Sequence, residues 1–223
     1  MRLASVGAGR TLPTREMERL LHRQGYRLVA GVDEVGRGPL AGPVMAAAVV
    51  LSPELDAPWL GHVRDSKALS PAARERLAPL IRGSALGVGV GSAAVEEIDS
   101  VGIAEATRRA MLRALASLPL TPHCLLVDAV SLEWQGLPCH SLIKGDTRCL
   151  SIATASIVAK VQRDRLMVAE DAAFPGYGFT RHKGYGTAEH LAALERLGPC
   201  PIHRRSFAPV RQWAEGGEPA SHA

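Results

Sequence analysis

The chain lacks the features that mark several protein classes. Its four cysteines, Cys124, Cys139, Cys149 and Cys200, show no CxxC spacing. A 223-residue chain with 47% hydrophobic residues buries enough core to fold without disulfides. Reduced thiols are therefore expected, and neither a disulfide scaffold nor a cysteine zinc site. No apolar run reaches the ~20 residues of a membrane span. Met1 to Gln24 carries Arg2, Arg10, Arg15 and Glu16 where a signal peptide needs an apolar stretch, so a cytoplasmic protein with no membrane partner is expected. The glycine-rich pieces Gly7 to Arg10 and Gly87 to Gly91 lack the GK[ST] ending of a phosphate loop. The histidines show no HExxH spacing, and Ser66 and Ser206 have no evident triad. These absences argue against ATP hydrolysis, zinc proteolysis and a serine nucleophile. Internal repeats and low-complexity tracts are also missing.

What is present centres on Leu28 to Pro39, a strand-like apolar run that ends in two adjacent carboxylates, Asp33 and Glu34, followed by Gly36, Arg37 and Gly38. An uncompensated carboxylate in an apolar layer costs several kcal/mol or is forced to protonate, whereas a divalent cation between carboxylates makes burial favourable. Asp33 and Glu34 are read as metal ligands, the alternative being a solvated strand terminus. Side chains on a regular strand alternate in direction, so both acids can serve one cluster only if the strand bends or ends there. Gly36 to Ala41 also matches GxGxxG/A, but that fingerprint must open a helix. Here Pro43 and Val49-Val50 continue the segment as a strand.

Strands are predicted over Arg27 to Val35, Pro39 to Leu51, Ser84 to Ala93, Cys124 to Val127 and around Ser141 to Ile143. Thr14 is expected to cap a short helix to His22. Ser70-Pro71, an N-cap followed by proline at the first helical position, opens a helix to about Arg82. Gly102 to Leu118 and Leu150 to about Ala169 read as further helices, with Lys160 four residues before Asp164 on a polar edge. The order implies an α/β fold in which a mixed five-stranded sheet is flanked by helices. Four segments are expected: an N-terminal piece over 1–24, a core over 25–170, a basic helical extension over 171–213 and a disordered tail over 214–223.

Asp128 and Asp146 each follow a strand and could meet Asp33 and Glu34 beyond the strand ends. Singly, Asp128 could be a turn residue and Asp146 a helix cap. Together the four acids fit two-metal phosphodiester chemistry, and hard oxygen ligands point to Mg2+ or Mn2+. The net charge of +4 and pI near 9.1 tilt towards a polyanionic partner. So does the basic stretch from Arg181 to Trp213, where the segment around Lys183 and Tyr185 is either a surface loop or places Tyr185 against a sugar or base between phosphate-binding cations, and Arg204 and Arg205 are either solvated charges or phosphate contacts.

These pieces recur together in one family. GVDEVGRGPLAGP from Gly31 to Pro43, DSK at Asp65 to Lys67, KGD at Lys144 to Asp146, SIATASIVAK from Ser151 to Lys160 with Arg163-Asp164, HKGY at His182 to Tyr185 and HRRSF at His203 to Phe207 resemble bacterial ribonuclease HII in order and spacing. The resemblance runs from about Gly25 to Val210. It implies a ribonuclease H-like fold and an endonuclease that cuts the RNA strand of RNA–DNA hybrids and incises 5′ of single ribonucleotides in duplex DNA, leaving 3′-hydroxyl and 5′-phosphate ends. Carried over residue by residue, the acidic quartet falls on Asp33, Glu34, Asp128 and Asp146, the ribonucleotide-reading turn on Gly36, Arg37 and Gly38, and the 2′-hydroxyl-sensing tyrosine on Tyr185. Ser66, Lys67, Lys144, Lys160, Lys183, Arg204 and Arg205 become possible nucleic-acid contacts. The chain departs from the pattern at Ala129, where many relatives continue the third acid with glycine, and at Gly102, where asparagine is common. The residues after Val210 match nothing and are expected to be dispensable. A monomer is expected, and no feature assigns a replication-clamp contact. The rivals are another nuclease or recombinase of the same fold that ignores the 2′-hydroxyl, and a non-catalytic nucleic-acid-binding protein.

Overall fold

A computed structural model describes residues 12–214. Residues 1–11, and all but the first four residues of the stretch after Val210 that is expected to be dispensable, lie outside the described residues. A short helix α1 (Glu16–Arg23) leads into a sheet of β1 (Val29–Val35), β2 (Val44–Val50), β3 (Gly87–Ala93), β4 (Cys124–Asp128) and β5 (Cys139–Leu142), ordered β3-β2-β1-β4-β5. The β1–β2 and β2–β3 pairs are antiparallel, while β1–β4 and β4–β5 are parallel. The mixed five-stranded sheet read from the sequence is therefore the observed one.

One face of the sheet packs on α3 (Val95–Ala116), with Val32, Ala46, Ala110 and Met111 in the same core. The other carries α2 (Pro71–Ser84) and α4 (Leu150–Ala173), with Ala47, Val49, Ile81 and Ile157 between them. β3 alternates glycine on the side that faces α3. A Cβ on Gly89 would stand 2.0 Å from the Ala114 carbonyl oxygen and one on Gly91 2.3 Å from that of Ala110, so only hydrogen fits.

Helix α2 starts as its sequence dictates, with the Ser70 hydroxyl accepting the Ala73 N–H and Pro71 at the first helical position. Arg15, not Thr14, is the residue before α1, although the Thr14 hydroxyl accepts the Glu16 N–H at 3.4 Å; the Thr14 backbone bridges to Cys149. Helix α3 extends upstream of its predicted start at Gly102, which has φ +79° and marks a break between two helical pieces. The upstream piece is held in place because Asp99 accepts hydrogen bonds from Arg205 N, Ser206 N and Ser206 Oγ. Helix α4 departs from amphipathic expectation in its first ten residues, Leu150 to Ala159, all buried. A helix enclosed between a sheet and other helices has no solvent face to mark by polarity.

The basic extension forms α5 (Phe179–His182), α6 (Ala188–Leu197) and α7 (Ala208–Ala214). It shares one core with Leu40, Ala41 and Met167. Its chain also pairs with the segment after the glycine turn, through Gly42 N to Ile202 O and Arg204 N to Leu40 O, each 2.8 Å.

Candidate active site

The four predicted acids converge on one end of the sheet. Val32 pairs with Val127 across the parallel β1–β4 ladder, so the next residues, Asp33 and Asp128, stand side by side. Asp128 Oδ1 accepts the Gly145 N–H at 2.7 Å, which ties the turn carrying Asp146 to the end of β4. That turn is a single 3-10 turn, Gly145–Thr147, entered through Lys144 at φ +55°. The Asp33 side points to α4, where the Ser156 side chain lies by the carboxyl and its hydroxyl donates to the Ser66 hydroxyl at 2.9 Å. A Cβ on Gly31 would lie 2.2 Å from the Ser151 carbonyl carbon. β1 thus touches the start of α4 backbone to backbone, and glycine alone permits that approach.

The expected bend between Asp33 and Glu34 is absent. β1 keeps its ladder with β2 through Val35, paired with Met45, and the turn begins only at Gly36, φ +88°. The two acids therefore leave the strand in opposite directions, yet Glu34 stays within the cluster's field, its charge raising Asp33 and that of Asp128 raising it, while it reaches back to Arg37 at 3.3 Å. Ala129, at the departure from the glycine pattern, takes φ +52°, a left-handed conformation that costs a non-glycine residue roughly 1–2 kcal/mol.

Burial pushes the Asp33 carboxyl well above the ordinary carboxylate range, and the Glu34 and Asp128 charges add to the effect. Glu34 is raised by burial despite Arg37. Asp146 is pushed up to about 6 by burial and then by Asp65 and Asp128. Burial alone would depress the Lys67 ammonium, but the fields of Asp65, Asp146, Asp33 and Asp128 together raise it. Glu34 Oε2 is buried without a hydrogen-bond partner. Among the described residues no three His, Cys, Asp or Glu side chains are grouped closely enough to hold one ion as they stand, and Glu34 bonds Arg37 while Asp128 bonds the Gly145 N–H. The donor set fits a hard divalent cation nonetheless: every candidate ligand is a carboxylate, the charges repel one another, and one buried oxygen has no donor.

Gly36, Arg37, Gly38 and Tyr185 also come together. A Cβ on Gly38 would stand 3.8 Å from Tyr185 Cε1, so the tyrosine ring lies over the turn, 41% exposed. The Tyr185 loop is pinned by Leu40 N to Gly184 O at 2.8 Å. A buried imidazole chain supports it from behind. His190 Nδ1 donates to the Tyr185 carbonyl at 3.0 Å, and His190 Nε2 faces His203 Nε2 at 2.9 Å. Cys200 N donates to His203 Nδ1 at 3.0 Å. These partners assign the proton to Nδ1 of His190 and to Nε2 of His203. Burial lowers both imidazoles to about 4, so the chain is neutral.

The basic residues divide. Lys67, Lys144 and Arg205 are exposed, and Lys183 is half-buried with its ammonium donating to the Thr180 carbonyl. Lys160 pairs with Asp164 at 2.5 Å. Two expectations are corrected. Ser66 is 4% exposed and Arg204 0%, so neither offers an outward contact. Arg204 turns inward because its guanidinium donates to the carbonyls of Gly36, Arg37 and Gly42. Arg163, to which no role was assigned from the sequence, is likewise fully buried, and a signal existed: it continues the buried stripe Ser156, Ala159, Arg163, Met167 of α4.

The ribonuclease HII family model matches residues 30–210. The chain belongs to the ribonuclease HII family. It is 54% identical over 196 residues to the ribonuclease HII of Syntrophotalea carbinolica, covering 88% of this chain and 92% of that one. Its fold is similar to the crystal structure of ribonuclease H2 from Pyrococcus horikoshii OT3, with a TM-score of 0.71 at 27% identity over 84% of this chain and 97% of that chain. It is also similar to Bst-RNase HIII in complex with Mn2+, with a TM-score of 0.58 at 21% identity over 86% of this chain and 71% of that chain, a likeness of fold alone. The protein is thus a metal-dependent endoribonuclease of the ribonuclease H type. Among the described residues no helix is long and apolar enough to cross a membrane.

Proposed function

We propose that the protein incises duplex DNA on the 5′ side of an embedded ribonucleotide and cuts the RNA strand of RNA–DNA hybrids, with Asp33, Glu34, Asp128 and Asp146 holding Mg2+ or Mn2+. Carrying this reading is the Tyr185 ring against Gly38, only five residues beyond Asp33: a surface that recognises a sugar adjoins the acids. Bound there, divalent ions would activate the attacking water and stabilise the leaving 3′-oxygen. The chain's own residues do the rest. Lys67, exposed within the field of the acids, attracts the phosphate backbone, as do Lys144 and Arg205 at the rim. The turn of Gly36, Arg37 and Gly38 lets backbone approach the ribose closely. The Tyr185 hydroxyl meets the 2′-hydroxyl, the group by which RNA differs from DNA at a single sugar. A monomer suffices, since both halves of the site come from one chain.

The test is cleavage of a duplex containing one ribonucleotide, beside an all-DNA duplex, in Mg2+, Mn2+ or chelator, for wild type and Tyr185→Phe. Metal-dependent cutting 5′ of the ribonucleotide alone, lowered about 10-fold or more by Tyr185→Phe with duplex binding kept, is expected. Cutting of both duplexes would remove the 2′-hydroxyl from the reading, and wild-type rates for Tyr185→Phe would remove Tyr185.

A further inference from the structure

Arg163 on α4 and Arg204 before α7 are among the largest fully buried side chains, each 0% exposed. Their hydrogen bonds run to backbone carbonyls. Arg204 donates to Gly36, Arg37 and Gly42 at 2.5–2.9 Å. Arg163 donates from Nε to Pro43 at 3.0 Å, from Nη2 to Ala41 at 2.9 Å and from Nη1 to Lys183 at 2.9 Å. Arg204 therefore grips the glycine turn, while Arg163 grips the exit from that turn and the Tyr185 loop at once. The turn rests directly on the guanidinium: a Cβ on Gly36 would fall 2.2 Å from Arg163 Nε.

Burial lowers these groups to about 10 for Arg163 and about 9 for Arg204, so both stay charged at neutral pH. Burying a cation that has carbonyls for hydrogen-bond partners and, for Arg204, the Phe207 ring 5.1 Å away is costly, and apolar residues would fill the space without that cost. A planar fork of donors does what an apolar side chain cannot: it fixes several carbonyls relative to one another. Arg163 also sits seven residues, about 10 Å of helix rise, beyond Ser156, whose side chain lies by Asp33. One rigid helix thus connects the acids to the tyrosine loop.

We propose that Arg163 and Arg204 are positioning residues that set the register between the ribonucleotide-reading surface and the carboxylates, and so choose which phosphate is cut. The inference rests on the reading of Tyr185 and the glycine turn given above. Neither guanidinium touches substrate.

Arg163→Lys and Arg204→Lys keep the charge and remove the fork. Each is compared with wild type by thermal unfolding, by kcat and KM on the single-ribonucleotide duplex, and by mapping cut positions on a uniform RNA–DNA hybrid. Expected are folded variants with KM within about threefold of wild type, kcat lowered about 10- to 100-fold and cuts spread to neighbouring phosphates. The Arg163→Lys/Tyr185→Phe double variant should be no slower than the worse single variant, since both act through one contact. Folded lysine variants that cut at the wild-type position within twofold of the wild-type rate would overturn the proposal, as would losses that multiply in the double variant. Loss of fold in one variant leaves the other to decide. Loss of fold in both would make the arginines purely structural and overturn it. Wild-type cleavage by Tyr185→Phe would instead bring down the underlying reading of Tyr185.

Discussion

Asp146→Asn should make the metal-free protein more stable while abolishing its activity. In the folded protein burial, Asp65 and Asp128 raise the Asp146 carboxyl from an ordinary 3.8 to about 6. The folded state therefore binds more protons than the unfolded state between about pH 4 and pH 6. Stability falls as pH rises through that window, and at pH 7 the whole cost is present. At about 1.4 kcal/mol per pH unit the gap is worth on the order of 3 kcal/mol. Asparagine keeps the volume and carries no charge. In chelator at pH 7 the variant should gain up to about 3 kcal/mol by urea unfolding, or about 5–10 °C in melting temperature for a domain of this size. The gain should vanish by pH 4, where wild type is protonated too. Taking the difference between variant and wild type at each pH cancels every other titrating group that the substitution leaves alone. Adding Mg2+ or Mn2+ should stabilise wild type more than the variant. A variant no more stable than wild type at pH 7 in chelator, or equally stabilised at pH 4, would refute the claim that Asp146 is held at an electrostatic cost for the sake of a cation.

Gly31→Ala should cost about 3 kcal/mol or more in urea unfolding, because its methyl would enter the α4 backbone at 2.2 Å from Ser151, and activity should fall with it as Asp33 shifts against α4. Near-wild-type stability would mean that β1 and α4 separate easily. His190 and His203, lowered to about 4 by burial, should stay neutral at pH 5 with protons on Nδ1 and Nε2 respectively, as read by nitrogen-detected NMR. An imidazolium at pH 6 at either position would refute the assigned chain. Because the unfolded imidazoles titrate near 6.5, this pair contributes stability that is present at neutral pH and lost as pH falls from about 6.5 towards 4.

Much of the architecture was legible because local chemistry carries it. Ser70-Pro71 announces a helix start in two residues, and the apolar runs of β1, β2 and β4 announce buried strands. Carboxylates at or just beyond the ends of apolar runs are conspicuous, which is why Asp33, Glu34, Asp128 and Asp146 could be grouped without knowing where they meet. The parallel pairing of β1 with β4 then made neighbours of residues 95 positions apart. That step belongs to tertiary structure.

What the sequence determined by itself was the set of strands and helices, the carboxylates at the strand ends, and the motif order that marks the family. Only the tertiary structure decided which polar groups face inward. Arg204 reads as a surface charge, yet its acceptor on Gly36 lies 168 residues away. Ser66 and Arg163 were drawn inside in the same manner, by Ser156 for one and by the Ala41, Pro43 and Lys183 carbonyls for the other. Glu34 was parted from Asp33 by a ladder that runs on through Val35. Periodicity and capping are properties of neighbouring residues, so they are written locally. The burial of a charge depends on acceptors supplied from distant parts of the chain, so it is fixed only when the fold brings them together.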